Sequence, residues 1–194
     1  MKLALSFILI TFLVGQVLSQ TTTYTITANG HPIGDLSVKK SKTNDYMQIA
    51  VTSDVKVKLF ITVDISYKLN ATYKNNELVS SAVTVYVKGK VHSKITTTKN
   101  GQYYTIVDNG HTSQYLHKIT YSSALFFVKE PQGITSVYSD FGGSLKPLAE
   151  IDAHLYQLTN PSSEHHENYL YAYGALQKAS IEHSLLTFEL TKKG

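Results

Sequence analysis

The sequence predicts an all-β protein. The expected architecture is a strongly curved antiparallel meander, either a half-barrel or a flattened barrel, with a short helical or irregular segment near residues 119–130. Three observations lead to this prediction. Fourteen tyrosines, with abundant Thr and Val, favour strands. Apolar and polar residues alternate over long stretches. Asn–Gly and related turn signals separate these stretches at hairpin spacing.

The clearest alternation runs over residues 55–73, where every odd position is apolar. The even positions are mostly polar, and Phe60 is the exception. Alternation of this kind gives a strand one buried face and one solvated face. After the turn signal at residues 74–77, apolar residues continue on odd positions from Val79 to Ile95. The two stretches therefore predict a long hairpin with one apolar face.

The register of this hairpin follows from its apolar face. A three-residue loop, Asn75 to Glu77, pairs Tyr73 with Val79 and keeps both apolar sets together. A two-residue loop would shift one strand by a residue and turn its apolar side chains to solvent. A straight hairpin of this length would exceed the diameter of a domain, so Gly89 is expected to mark a bend.

Turn signals divide the rest of the chain into further strands. Examples are Asn29-Gly30, Lys99-Asn100-Gly101 and Asn109-Gly110. The expected strands cover residues 22–29, 33–40, 45–53, 102–108, 111–118, 144–151, 153–159, 168–174, 176–183 and 185–191.

One segment departs from the strand pattern. In Ile119–Lys129 the consecutive apolar residues Phe126, Phe127 and Val128 cannot all face one side of a strand. Pro131 ends the segment. We expect a helical turn or kink that places at least one ring on the concave face of the sheet.

The first residues carry the pattern of a secretory signal peptide. One lysine precedes an almost uninterrupted apolar run, Leu3–Val14, and Ser19 is the last small residue before Gln20. The run is too short for a membrane-spanning helix, and no second run of this length follows. We therefore expect residues 1–19 to be removed and residues 20–194 to form a single secreted or periplasmic β domain with no stable membrane span.

Composition excludes several kinds of site. The chain has no cysteine, so disulfides, thiol nucleophiles and Cys-ligated zinc are excluded. Its net charge of +4 comes from lysines spread in alternation with apolar residues, so no nucleic-acid partner is expected. No GxSxG, HExxH or phosphate-binding glycine loop occurs. No catalytic residue, metal or cofactor is therefore assigned.

The candidate ligand-binding residues lie on the expected concave face and in one row of tyrosines. The tyrosines recur every second residue and could stack on a flat ligand, or they could bury their rings and leave the hydroxyls wet. The candidates are Leu59, Ile61, Val83, Val85, Phe126, Phe127, Tyr169, Tyr171 and Tyr173.

Polar groups offer weaker candidates. Glu150, Asp152 and His154 alternate onto one expected strand face, but neighbours there are about 7 Å apart, so a solvated face is the preferred interpretation. The tract at residues 164–167, Glu-His-His-Glu, is expected to be a hydrated loop. Glu130 could anchor a ligand at the lip of the concave face, although Pro131 and Gly133 beside it more simply end the segment.

Several of these motifs occur together in a known family. They are Ile33-Gly34, the long strand pair that follows, Leu125–Pro131 and Asn168–Leu176. With them the chain resembles an uncharacterised family of secreted all-β proteins from Gram-negative bacteria, a domain of unknown function. The resemblance implies an exported or periplasmic location and a fold similar to the curved half-barrels of periplasmic lipoprotein carriers. It implies no catalytic residue.

Two functions remain open. The first is a binding or carrier module that holds a hydrophobic or lipid-like ligand on the curved sheet. The alternative is a structural or interaction protein of the cell envelope with no small-molecule ligand. An enzyme is the least favoured interpretation. An internal cavity would favour the carrier, whereas a concave face filled by residues 119–129 would favour the structural role.

Overall fold

Alternating segments joined by tight turns form one antiparallel sheet of fourteen strands. The structure is a computed structural model that describes residues 18–58, 62–163, 165–183 and 186–194. The strands are β1 Leu18–Ala28, β2 His31–Thr43, β3 Tyr46–Lys58, β4 Thr62–Lys74, β5 Glu77–Val87, β6 Lys90–Asn100, β7 Tyr103–Asp108, β8 His111–Tyr115, β9 Ser136–Ser139, β10 Ser144–Asp152, β11 Leu155–Thr159, β12 His166–Ala172, β13 Ala175–Glu182 and β14 Thr187–Lys192.

The two terminal strands meet in the middle of the sheet. β1 pairs with β14. On one side of this pair the strands run outward from β2 to the edge strand β8, and on the other side they run from β13 to the edge strand β9. Residues 1–17, most of the predicted signal peptide, lie outside the described residues, as do Leu59 and Ile61. Within the described residues, no helix is long and apolar enough to cross a membrane.

The two ends of the sheet approach each other through side chains. The Thr97 hydroxyl on β6 lies 2.8 Å from the Tyr138 hydroxyl on β9. The Tyr138 ring is also 5.8 Å from the ring of Tyr115 on β8. No described backbone pairing joins β8 to β9, so the sheet curls like a barrel without closing through hydrogen bonds. The predicted all-β, strongly curved half-barrel is confirmed.

The concave side of the sheet holds the core and the segment between β8 and β9. We call residues 119–130 the plug. A 3-10 helix, Ser123–Phe127, forms its centre, with Ala124, Leu125 and Phe126 buried. The expected short helical segment is therefore present where the sequence departs from the strand pattern.

The β4–β5 turn differs from the expectation. Asn75-Asn76 forms a two-residue turn with φ of 50° and 62°, and Tyr73 pairs with Leu78. The predicted three-residue loop with Tyr73 opposite Val79 is wrong. A β-bulge after Thr72 absorbs the one-residue shift, so the rest of the hairpin keeps the expected register.

Gly89 also has a different role. Lys88 and Gly89 have φ of 51° and 75° and form the turn between β5 and β6. The long second strand is thus two strands, and the hairpin turns back where a bend was expected. The first strand is also divided, because β3 ends at Lys58, β4 begins at Thr62 and the two pair antiparallel. The predicted single strand over residues 55–73 is therefore wrong. The short strand β9 was not predicted.

Gly34 is required by the close approach of β2 and β3. A Cβ atom at this position would lie 2.1 Å from the backbone oxygen of Asp54. Since backbone atoms cannot move aside without breaking the ladder, only glycine fits here. This contact gives a physical reason for glycine in the Ile33-Gly34 motif.

Candidate functional site

A buried carboxylate fixes the start of the plug. Oδ2 of Asp140, in the β9–β10 connection, accepts hydrogen bonds from Ser122 Oγ at 2.6 Å and Ser123 Oγ at 2.9 Å. It also accepts one from the backbone N–H of Ala124 at 2.9 Å. This N–H belongs to the first turn of the 3-10 helix and would otherwise have no partner. Asp140 therefore acts as an N-terminal cap that comes from a distant part of the chain.

Burial raises the pKa of Asp140, and its hydrogen-bond donors only partly offset this effect. The Ser81 hydroxyl also faces this carboxyl group and lowers its pKa. Among the described residues, however, neither Ser81 Oγ nor Asp140 Oδ1 has a hydrogen-bond partner of good geometry. Tyr73 completes the cluster, with its hydroxyl 2.6 Å from Ser122 Oγ. The cluster is closed to solvent and holds the plug against β4, β5 and β9.

The plug occupies the tyrosine row that could have faced a ligand. Phe126 is fully buried, and its ring stacks on Tyr169 with centroids 4.0 Å apart. The Tyr171 hydroxyl donates to the backbone oxygen of Phe126 at 2.7 Å. Burial raises the pKa of both tyrosines well above the usual value. Tyr169 and Tyr171 therefore contact the chain's own plug.

The far end of the plug is held by a second carboxylate. Glu130 Oε1 lies 2.7 Å from His154 Nδ1 and accepts a hydrogen bond from the Tyr156 hydroxyl at 3.0 Å. Although burial raises the pKa of Glu130, the hydrogen bonds from His154 and Tyr156 outweigh this effect and lower it. The same contact raises the pKa of the exposed His154. An ion pair thus fastens the plug to the β10–β11 turn.

Between these two attachments the plug leaves a cleft on the concave side, with a volume of about 200 Å³. Phe127 and Val128 of the plug form one wall, facing Tyr24 of β1 and Val38 of β2. Tyr173 lies at the rim. The full lining comprises Gln20, Thr22, Tyr24, Val38, Lys40, Phe127, Val128, Tyr173, Gly174, Ala175 and Lys192. We call this the plug cleft.

Pairing of the terminal strands brings two lysines to the plug cleft. Lys192 of β14 lies opposite Tyr24 of β1, and Lys40 of β2 lies opposite Gln20. No described lining residue is Asp or Glu. The plug cleft therefore combines an apolar wall with a positively charged border.

The structure separates the predicted ligand-binding residues into groups. Phe127 and Tyr173 meet at the plug cleft, while Phe126, Tyr169 and Tyr171 are buried in the core. The core also contains Val83, and Val85 is half-buried on the same strand. Tyr173 does not share the face of the other two tyrosines, because it lies in the β12–β13 turn with φ of 51°.

The polar candidates are also distributed differently from the expectation. Asp152 ends β10, and His154 lies in the following turn with φ of 59°, so the two do not share a strand face. In the Glu-His-His-Glu tract, Glu164 lies outside the described residues, and Glu167 pairs with Lys146 at 3.0 Å. The described residues contain no cluster of three or more His, Asp or Glu that could hold a metal ion.

Sequence reasoning missed Lys40, Lys192 and Asp140. The lysines are far apart in the chain, and only the pairing of β1 with both β2 and β14 brings them together. Asp140 lies in a Gly-containing turn where an acidic residue normally faces solvent. Neither arrangement leaves a local signal.

Comparison with known families agrees with this architecture. A family model described as a domain of unknown function, DUF6134, matches residues 24–193. The chain belongs to the DUF6134 family. The resemblance to a family of unknown function is thereby confirmed, whereas a secreted location and a Gram-negative source stay predictions. No curated protein matches the chain significantly.

A solved structure shares the fold. It is the crystal structure of a β-barrel-like protein of a domain of unknown function, DUF1849, from Brucella abortus. The match has a TM-score of 0.58 and covers 93% of this chain and 98% of that chain, at 5% sequence identity. This likeness shows that the DUF6134 chain has a β-barrel-like fold.

Proposed function

We propose that this DUF6134 protein is an exported binding protein for an anionic amphiphile, such as a short fatty acid, held at the plug cleft. The observation that carries the proposal is the pairing of an apolar wall, formed by Phe127 and Val128, with a border that contains Lys40 and Lys192. An alkyl chain fits the apolar wall, and a carboxylate or phosphate fits the ammonium groups.

The size of the plug cleft limits the ligand. Sites for drug-sized ligands usually measure about 300–1,000 Å³, and the plug cleft has about 200 Å³. The ligand is therefore a short amphiphile, or a longer one that buries only the methylene groups next to its head group. A fully enclosed lipid is not part of the proposal, because the plug fills the rest of the concave face near Phe126.

Export is part of the same proposal. Residues 1–19 act as a signal peptide, and cleavage after Ser19 leaves Gln20, a lining residue of the plug cleft, as the first residue. N-terminal sequencing of protein released by its own host tests this step. Finding Met1 on the exported form would rule it out.

Binding is tested by isothermal titration with dodecanoate and with the uncharged dodecanol. Wild-type protein is expected to bind dodecanoate more tightly. Replacing both cleft lysines, Lys40→Glu and Lys192→Glu, is expected to weaken dodecanoate binding by about tenfold or more, equivalent to about 1.4 kcal/mol. The same replacement should leave dodecanol binding nearly unchanged.

Lys39→Glu is the control, since it makes the same charge change as Lys40→Glu alone, on the other face of the same strand, where Lys39 is exposed. It should bind both probes like the wild type. Phe127→Ala should weaken the binding of both dodecanoate and dodecanol, because it removes part of the apolar wall. If wild-type protein binds neither probe, the proposal is wrong.

A specific observation favours the second candidate, a structural or interaction protein without a small-molecule ligand. Phe126 is fully buried against Tyr169, as expected if the concave face is packed and has no room for cargo. Native mass spectrometry of protein purified from its own host distinguishes the two functions. A small molecule retained on the protein supports the binding function. Protein without any bound small molecule at every stage of purification favours the structural role.

A further inference from the structure

The edge strand β8 is exposed to solvent along most of its length. Within the described part of the chain it pairs with β7 alone. Residues His111 to Gln114 are exposed, so side chains on both faces of the strand contact solvent. Such an edge is a template for another strand, and proteins commonly protect it with Lys, Pro or a covering loop. The sequence of β8, His-Thr-Ser-Gln-Tyr, contains no Lys or Pro.

We call the place where the two ends of the sheet meet the seam, and most of β8 lies outside it. The contacts that bring the two sheet ends together near Thr97 and Ile106 come from β6 and β7. Thr97 contacts Tyr138, and Gly143 lies directly over Ile106. From β8, the ring of Tyr115 at its last position contacts the ring of Tyr138 across the seam. The remainder of β8 therefore projects past the seam as an exposed edge.

The free backbone groups of β8 can be identified from its turn. Asn109 and Gly110, with φ of 47° and 91°, form a two-residue turn closed by the pair Asp108–His111. The closing pair of such a turn exchanges two hydrogen bonds, and pairs then alternate between bonded and non-bonded. Ser113 is therefore bonded to β7. The N–H and C=O groups of its two neighbours, residues 112 and 114, point away from β7.

We infer that β8 is a dimerisation strand, which pairs antiparallel with β8 of a second copy of this chain around a two-fold axis at Ser113. In this register Thr112 of each copy lies opposite Gln114 of the other. The four free backbone groups on each strand are then all used, in four inter-chain hydrogen bonds. Ser113 faces its own symmetry mate.

The side chains also suit self-pairing. The chain has a net charge of +4, which opposes general self-association, but β8 contains no Lys, Asp or Glu. Around the axis, small hydroxyl side chains of Ser113 meet, and His111 lies opposite Tyr115 of the second copy. No like charges lie directly opposite each other, an arrangement that would destabilise the pair.

The opposite edge of the sheet limits the assembly to a dimer. Val137, Tyr138 and Ser139 of β9 are buried, and the Tyr138 N–H donates to the Tyr121 oxygen of the plug at 3.1 Å. Since β9 is covered, a β8–β8 contact cannot continue into a filament. The pairing involves only a short strand, so a weak dimer is expected, with a dissociation constant on the order of 100 μM.

Charge reversal at the two-fold axis tests the inference. Ser113→Lys places two ammonium groups directly opposite each other, and Ser113→Glu does the same with two carboxylates. Sedimentation velocity over a concentration series should show wild-type dimers and a loss of dimer in each variant alone. An equimolar mixture of the two variants should restore the dimer. Restoration requires position 113 of one copy to face position 113 of another, which no other partner would give.

Removal of an outward N–H group provides the second test. Gln114→Pro deletes an N–H that points away from β7, a position where an edge strand tolerates proline. Its matched control, Gln114→Ala, keeps the N–H. The Pro variant should lose the dimer and keep the wild-type circular dichroism spectrum, while the Ala variant should dimerise normally. A wild type that stays monomeric, assembles beyond a dimer, or pairs equally well with Pro at position 114 would overturn the inference.

Discussion

The two edge strands of the sheet, β8 and β9, end similar series of hairpins but differ in their contact with solvent. In β9, Val137 and Tyr138 are fully buried, and the plug bonds to the outer edge of the strand near Tyr121. In β8, residues 111–114 are exposed. The difference follows from the chain path, because the plug leaves β8, crosses the concave side and returns to cover β9.

This comparison shows how a curved sheet can bring its ends together without continuous backbone pairing. The covered edge relies on polar side chains, chiefly Asp140 with Ser122 and the contact of Tyr138 with Thr97. Such buried groups stabilise the seam only while their partners are present. At the open edge, the side chains of His111 to Gln114 are exposed and form no such network with other described residues. The covered edge should therefore be sensitive to substitution, and the open edge should tolerate it.

The largest effect is expected in the plug that covers β9. Phe126→Ala should lower the free energy of unfolding by about 3–5 kcal/mol, because a fully buried ring leaves a cavity beside Tyr169. Phe127→Ala should cost about 1–2 kcal/mol, since Phe127 is only half-buried at the plug cleft. Urea denaturation of both variants measures the difference. Equal losses in the free energy of unfolding would show that the 3-10 helix does not bury Phe126 in preference to Phe127.

The next effect concerns the capping carboxylate. Asp140→Ala removes the acceptor of the Ser122 and Ser123 hydroxyls and of the Ala124 N–H, which should cost about 3 kcal/mol. Asp140→Asn should cost much less. Its oxygen can accept the same three hydrogen bonds, and its NH₂ can donate to the unpartnered Ser81 Oγ.

Asp108→Ala serves as the control at the open edge, where Asp108 ends β7 and is exposed. It should change the free energy of unfolding by less than about 0.5 kcal/mol. If Asp108→Ala and Asp140→Ala destabilise the protein equally, the contrast between the two edges is wrong.

These expectations show which features local sequence could predict. The alternation in residues 55–73 predicted the buried face of β3 and β4 but not the reversal of the chain between them. The run Phe126-Phe127-Val128 predicted the irregular plug. Both successful predictions depend on neighbouring residues. The β4–β5 turn was missed because a bulge compensated for its length, and two loops of different length give the same register beyond the bulge. Sequence alone offers no signal to distinguish them.

The candidate site was less predictable for a related reason. Phe127 and Tyr173 were recognised from apolar and aromatic patterns, and both line the plug cleft. Lys40 and Lys192 were not, because their proximity depends on the pairing of the first and last strands. A lysine on an alternating strand ordinarily lies on a solvated face. Long-range pairing, rather than residue type, therefore decides which charges reach the site.

A smaller, pH-dependent effect is expected at the plug attachment. The hydrogen bond to Glu130 raises the pKa of His154 above 6.5. The contact therefore stabilises the fold below that pH, and its contribution is lost as the pH rises through the folded-state pKa. Glu130 has a lowered pKa in the folded protein. It therefore stabilises the fold above its unfolded-state pKa of 4.5, and this stabilisation is lost as the pH falls through its folded-state pKa. The contact is thus most stabilising between about pH 4.5 and 6.5.

His154→Asn tests this window, because Asn tolerates the φ of 59° at this position and cannot gain a proton. The melting temperature of the wild type should exceed that of the variant most at about pH 6, and the gap should narrow towards about pH 9. His111→Asn on the open edge β8 is the control for the loss of an exposed histidine, measured over the same pH range. A constant gap for His154→Asn would contradict the ion pair.

The smallest perturbation, hydrogen exchange without any mutation, compares the two edges directly. In dilute protein the outward amides of Thr112 and Gln114 should exchange nearly as fast as in an unfolded peptide, whereas the Ser113 amide, bonded to β7, should be protected. On the other edge the Tyr138 amide, which donates to the plug, should exchange slowly. Raising the protein concentration should protect Thr112 and Gln114 if β8 pairs with a second copy, and leave Tyr138 unchanged. Uniform protection along β8 in dilute solution would mean that its outer edge is already covered within one chain, and both the open edge and the dimer would have to be abandoned.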